Sequence, residues 1–121
     1  MNFRILKDKN EIYILELHGS INLYDSNRIK ELVMKLIEYK NEKFIIDLKN
    51  VESMNSASLG ALVYVSSNLK KLNCALAITN VNGLVLKAIE VTKLSGLLPI
   101  VPTLKEAVET VSGELPIPGN Q

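Results

Sequence analysis

The residues whose types and spacing could do chemistry converge on one stretch, Asp47 to Gly60, which reads DLKNVESMNSASLG. Within it, Asn55-Ser56-Ala57-Ser58 stand where a helical pattern begins. A helix N-terminus carries unpaired backbone N–H groups and about half a unit of positive charge. Asn55 or Ser56 can serve as the helix cap, worth about 1 kcal/mol, and spacing by itself favours that use. The other use is chemical. A phosphoryl group on the Ser56 hydroxyl would place roughly −1.5 to −2 units of charge on the favourable end of a helix. Such a change costs the fold little and alters the surface that a partner meets.

Other chemistries lack their parts. The six glycines include no G-x-G-x-x-G or G-x-x-x-x-G-K-[ST] phosphate cradle, and there is no G-x-S-x-G elbow. The single histidine, His18, has no serine or cysteine to activate. Without a nearby carboxylate or cysteine it makes a poor metal ligand, so it reads as a strand-end residue, hydrogen-bonded or solvated. Cys74 is the sole cysteine, which excludes an internal disulfide, and it lies in an apolar run as a small hydrophobe. Asp25 and Asp47 are the acidic residues nearest the loops of interest, and nothing favours pairing them for acid–base work. No metal and no cofactor is called for. A net charge of +1 gives no electrostatic footprint for nucleic acid. Tyr13, Tyr24, Tyr39 and Tyr64 are not interleaved with basic residues as an RNA-stacking platform would be. No run approaches the roughly 18 apolar residues of a membrane span. By elimination the chain reads as a cytoplasmic binding protein, not an enzyme.

The elements around Ser56 follow from hydrophobic period. Residues 3–7 and 11–18 are strand candidates joined at Asp8-Lys9-Asn10, the second ending at His18-Gly19. After a 20–24 loop, with Asp25 or a neighbour as cap, Ile29, Leu32, Val33, Leu36 and Ile37 mark one face of a helix over 25–39. Phe44 to Leu48 reads as a buried strand and 49–55 as a loop rich in Asn and Ser. A helix over 56–71, a strand over 75–79 and a helix over 83–91 with Leu84, Val85, Ala88 and Ile89 inward come next. A short strand over 98–101 precedes a final helix opened by the Thr103/Glu106 capping box, and 112–121 reads as a disordered tail. Strands alternating with helices of crossover length predict an α/β domain: a four- to five-stranded, mostly parallel sheet with an antiparallel edge and about four helices. Ligands of such sheets meet the loops at the carboxyl ends of strands, which here are Gly19–Tyr24 and Lys49–Asn55.

Two stretches resemble a known family. IIDLKNVESMNSASLGALV is similar to the STAS domains of bacterial anti-sigma factor antagonists, whose pattern runs D-L-S-x-V-x-x-M-D-S-S-G-L-G-x-L-V. LHGSINLYDSNRIKEL is similar to their L-x-G-x-[LI]-D segment entering the first helix. Asp47, Leu48, Met54, Leu59 and Gly60 match, and the resemblance spans residues 3–111 in element order, giving a STAS domain over 1–111. It implies the STAS fold and a chain that, unphosphorylated, binds an anti-sigma factor serine kinase and frees a sigma factor. The kinase phosphorylates the antagonist at the position of Ser56, and a metal-dependent phosphatase reverses this. The partner-binding surface it implies comprises Asn22, Leu23, Tyr24, Asn55, Ser56, Ala57, Ser58, Gly60 and Ala61, on a monomer or weak dimer. Asn55 and Asn22 stand where the family commonly has Asp, Ala57 replaces Ser or Thr, and Ser58 replaces Gly. Ser53 and Ser58 are competing acceptors. Alternative readings are a STAS subunit of a lipid-transport or stressosome-like complex that is never phosphorylated, and a small nucleotide-binding protein.

Overall fold

The computed structural model describes residues 1–37 and 42–113. In chain order the elements are β1 (Asn2–Lys7), β2 (Ile12–Ile21), α1 (Leu23–Leu36), β3 (Lys43–Met54) and α2 (Ser56–Lys71). They continue with β4 (Ala75–Thr79), α3 (Gly83–Val91), a 3-10 turn (Ser95–Leu97), β5 (Ile100–Val101) and α4 (Leu104–Val111). The five strands lie in the order β1-β2-β3-β4-β5. β1 pairs antiparallel with β2, and the remaining neighbours are parallel. This is the mixed sheet and four-helix arrangement that the alternation of elements predicts.

Period-two alternation divides the sheet into two faces. Leu15, Leu17, Phe44, Ile46, Leu48, Leu76 and Ile78 point to one face and form the large core with Ile29, Val33, Leu59, Leu62, Val65, Leu69, Val85 and Ile89 from α1, α2 and α3. Ile12, Ile45, Ala77 and Val101 point to the other and are covered by Ala107 and Val111 of α4. Central strands buried on both sides explain why β3 opens with the consecutive apolar residues Phe44, Ile45 and Ile46 in place of strict alternation.

The structure differs from the sequence reading at several points. β2 runs on to Ile21 and β3 to Met54, so the loop expected at 49–55 is strand except for Asn55, which caps α2. The pairing slips twice here: His18 is opposite Asn50 after Glu16 is opposite Asp47, and Ser20 is opposite Ser53 after Gly19 is opposite Val51. Each slip adds an unpaired residue, so the buried positions Leu48, Val51 and Met54 recur every third residue and the strand signature disappears. α1 starts at Leu23, with Asn22 as cap and Asp25 three residues inside. Leu84, expected inward, is 68% exposed, because α3 seats Val85 and Ile89 against the core and turns its next position outward. β5 is only Ile100–Val101, although Leu98 before it is buried. The end of the first helix at 38–39 and residues 114–121 of the expected tail lie outside the described residues; Ser112 caps the C-terminus of α4 and Gly113 follows at φ 85°.

Candidate functional site

The site is built by two strands that end side by side. Ile21 of β2 is in register with Met54 of β3, so the next residues, Asn22 and Asn55, cap α1 and α2 at neighbouring positions. Both caps are reciprocal. Asn22 Oδ1 accepts from Asp25 N at 3.0 Å, while Asp25 Oδ2 accepts from Asn22 N at 3.1 Å. Asn55 Oδ1 accepts from Ser58 N at 2.8 Å, while Ser58 Oγ accepts from Asn55 N at 2.8 Å and donates to Asn55 O at 2.9 Å. Each box satisfies orphan donors and fixes the angle at which its helix leaves the strand. The amides at Asn22 and Asn55 are therefore competent caps.

Ser56 is the first residue of α2, exposed, and its hydroxyl makes no hydrogen bond among the described residues. No acidic residue occurs in the first turn of α2. The two competing serines are engaged. Ser58 is fully buried and its hydroxyl closes the cap; Ser53 Oγ donates to Ser20 Oγ at 3.0 Å across the β2–β3 pair. Among these three, Ser56 alone presents a free, solvent-facing hydroxyl, and it does so where helix N–H groups and the helix dipole favour an anion.

The expected partner surface is partly assembled. Asn22, Asn55 and Gly60 are exposed, Leu23 and Tyr24 are 66% and 72% exposed, and Ala57 is half-buried. These groups form one rim, because the N-termini of α1 and α2 are adjacent and the two helices pack together. Ser58 and Ala61 do not belong to it. Both point into the core at 0% and 1% exposure, so neither side chain can touch a partner, and the serine in place of glycine acts on the cap and not on an interface. Tyr64, not singled out from sequence, extends the rim along α2: it is 47% exposed, with Lys30 Nζ of α1 4.7 Å from its ring centroid. A Ser56–Gly60–Tyr64 row at i, i+4, i+8 was the available signal.

The acidic residues do not form a pair. Asp25 is tied to Asn22 and lies 3.6 Å from the Met1 amine. Asp47 sits back in β3, where Oδ1 accepts from Lys49 N at 2.9 Å and from Asn80 Nδ2 at 3.1 Å. His18 does have a carboxylate nearby, contrary to expectation: Nε2 is 3.8 Å from Glu16 Oε1. Glu16 is mainly engaged by Arg4, whose Nη2 donates to both its oxygens at 3.1 and 2.8 Å, and these bonds and the attraction behind them raise the guanidinium pKa. No cluster of three or more potential metal ligands occurs among the described residues. An open cleft of about 190 Å³ lies at the opposite end of β2 and β3, lined by Lys7, Asn10, Glu11, Tyr13, Glu42 and Lys43. Lys7 and Tyr13 already satisfy each other there, the tyrosine hydroxyl raising the lysine pKa.

The family model of the STAS domain matches residues 4–107. The chain belongs to the STAS domain family. Its curated relatives include a Thermotoga neapolitana protein provisionally named an anti-sigma factor antagonist, 27% identical over 114 residues that cover 92% of this chain and 96% of the relative. A crystal structure of a Thermotoga maritima protein with the same provisional name superposes with a TM-score of 0.77 at 26% identity, covering 91% of this chain and 94% of that one. The anti-sigma factor antagonist SpoIIAA in its unphosphorylated form shares the fold, with a TM-score of 0.73 at 16% identity over 94% and 99% of the two chains. The matched segment of the STAS domain runs from β1 into α4, so both capped helices and Ser56 lie inside it. No helix among the described residues is long and apolar enough to cross a membrane.

Proposed function

We propose that this STAS domain is an anti-sigma factor antagonist whose binding is set by phosphorylation of Ser56. Unphosphorylated, it binds an anti-sigma factor serine kinase in the cytoplasm through the rim formed by Asn22, Leu23, Tyr24, Asn55, Ser56, Ala57 and Gly60, and a sigma factor is released. The kinase transfers a phosphoryl group to Ser56 and the complex separates; a metal-dependent phosphatase resets the switch. The chain itself performs no catalysis. It acts as a monomer or weak dimer.

The observation that carries this reading is the state of the Ser56 hydroxyl, exposed and unbonded at the first position of α2 with no carboxylate in that turn. A phosphate there gains from the helix N-terminus, so the fold tolerates it. A partner seated over Ser56 does not, because it must accommodate a dianion that it cannot solvate. The exposed Leu23 and Tyr24 supply the apolar contact area that makes removal of the partner's water worthwhile.

The test is incubation with the cognate kinase and ATP, followed by peptide mass mapping and a binding titration. A single phosphoryl group on Ser56, absent from Ser56→Ala, and loss of kinase binding on modification are expected. A stable complex with no phosphoryl transfer would assign the chain to a STAS subunit of a different assembly, and transfer to Ser53 or Ser58 would overturn the site assignment.

A further inference from the structure

Asn82 and Gly83 form the one Asn-Gly pair in the chain. They follow β4 and open α3, at the carboxyl edge of the parallel strands, and no role described above uses them. Asn82 is exposed and occupies the N-cap position of α3, yet its side chain makes no cap hydrogen bond. Its one side-chain bond is from Nδ2 to Asn80 O at 3.3 Å, which leaves the side-chain carbonyl unengaged. The asparagine caps of α1 and α2 differ: Asn22 Oδ1 and Asn55 Oδ1 are held by backbone N–H groups at 3.0 and 2.8 Å. The following residue is equally open. Gly83 lies at φ 51°, a conformation glycine adopts without strain, and a Cβ there would meet nothing within 4 Å. Its N–H donates to no acceptor among the described residues.

We propose that Asn82 is a site of spontaneous intramolecular deamidation. The Gly83 backbone nitrogen attacks Cγ of Asn82 and a C–N bond forms. The bond from Cγ to Nδ2 breaks, the Gly83 amide proton passes to the departing nitrogen, and ammonia leaves a succinimide ring. Water then opens the ring at either carbonyl, giving aspartate or isoaspartate. No oxidant or enzyme is needed. An unshielded nucleophile, an unengaged electrophile and an exposed setting occur together at this pair and not at the capped asparagines.

The two products act differently on the fold. Aspartate gains a carboxylate at an uncapped helix N-terminus, where a side-chain acceptor and a negative charge are both favourable. Isoaspartate routes the main chain through the side-chain carboxyl and lengthens it by one carbon at the N-cap. That displaces the start of α3 relative to Val85 and Ile89, which are 1% and 0% exposed. Since α3 packs against β3, the strand that leads to Asn55, an aged chain of this kind has a loosened wall behind the Ser56 region.

The experiment is incubation of the full chain at mildly alkaline pH and growth temperature, with the free peptide of residues 80–87 in parallel. Digestion with mass mapping and labelling by an isoaspartyl methyltransferase read the product. The expected result is an amide-to-acid mass gain and methyltransferase labelling confined to the residue-82 peptide, at a rate within about a hundredfold of the free peptide, the margin set here for a site where local opening is inexpensive. Asn82→Ser, which retains a capping side chain, keeps its mass and takes no label. Conversion slower than that margin, or a mass gain that appears first at Asn22 or Asn55, overturns the proposal.

Discussion

Replacing Ser58 and Ser56 separately with alanine distinguishes the serine that closes the α2 cap from the one proposed as phosphoacceptor. Ser58 Oγ lies 2.8 Å from Asn55 N and 2.9 Å from Asn55 O, and the residue is fully buried. Ser58→Ala removes both bonds, each worth about 1 kcal/mol net, and leaves the Asn55 N–H without its partner. Alanine's better helix propensity returns roughly 0.5 kcal/mol. The remaining Asn55 Oδ1 bond to Ser58 N is untouched, so the helix still has half its cap. The net loss is about 1–2 kcal/mol, or a fall in melting temperature of about 3–8 °C for a domain of this size. Ser56→Ala removes an exposed hydroxyl with no bond, so its effect on stability stays within about 0.5 kcal/mol. Urea titrations give the two stabilities, and kinase incubation gives the two phosphoryl uptakes. Ser58→Ala is expected to lose stability and still take phosphate; Ser56→Ala is expected to keep stability and take none. Equal destabilisation by the two substitutions would refute the division of roles, and so would normal phosphate uptake by Ser56→Ala.

Ser56→Asp is expected to fold like the wild type and to weaken kinase binding by about 1–3 kcal/mol, the penalty of an unmatched polar group in an interface, measured by calorimetric titration. Gly60→Ala is expected to stabilise the isolated chain by up to about 1 kcal/mol, because the glycine sits mid-helix where a Cβ meets nothing, and to weaken partner binding if the rim is the contact surface; thermal melts and the same titration read both effects. Leu84→Ser is expected to change stability by less than about 0.5 kcal/mol, since Leu84 is 68% exposed, whereas Leu62→Ala at 0% exposure is expected to lose about 2–5 kcal/mol. Chemical denaturation of the two variants is the check.

The hydrophobic period of the chain determined most of the architecture. α2, β4 and α3 follow from it at the residues where they occur, because each is a short local segment whose apolar positions face one core and whose ends carry a cap or a turn. The family resemblance, likewise, pointed to Ser56 through a contiguous motif. What the sequence by itself left open depends on neighbours distant in the chain. The strand character of residues 49–54 exists only because β2 lies alongside with two register slips, and those slips erase the alternation that would announce a strand. The inward turn of Ser58 and Ala61 and the outward turn of Leu84 are set by how α2 and α3 seat on the sheet, which spacing defines only to within one helical position. The difference in setting among three nearby serines is likewise tertiary: Ser53 is engaged across the β2–β3 pair by Ser20, Ser58 is buried by the core beneath α2, and Ser56 is left exposed because two parallel strands end together and turn their helix N-termini to solvent.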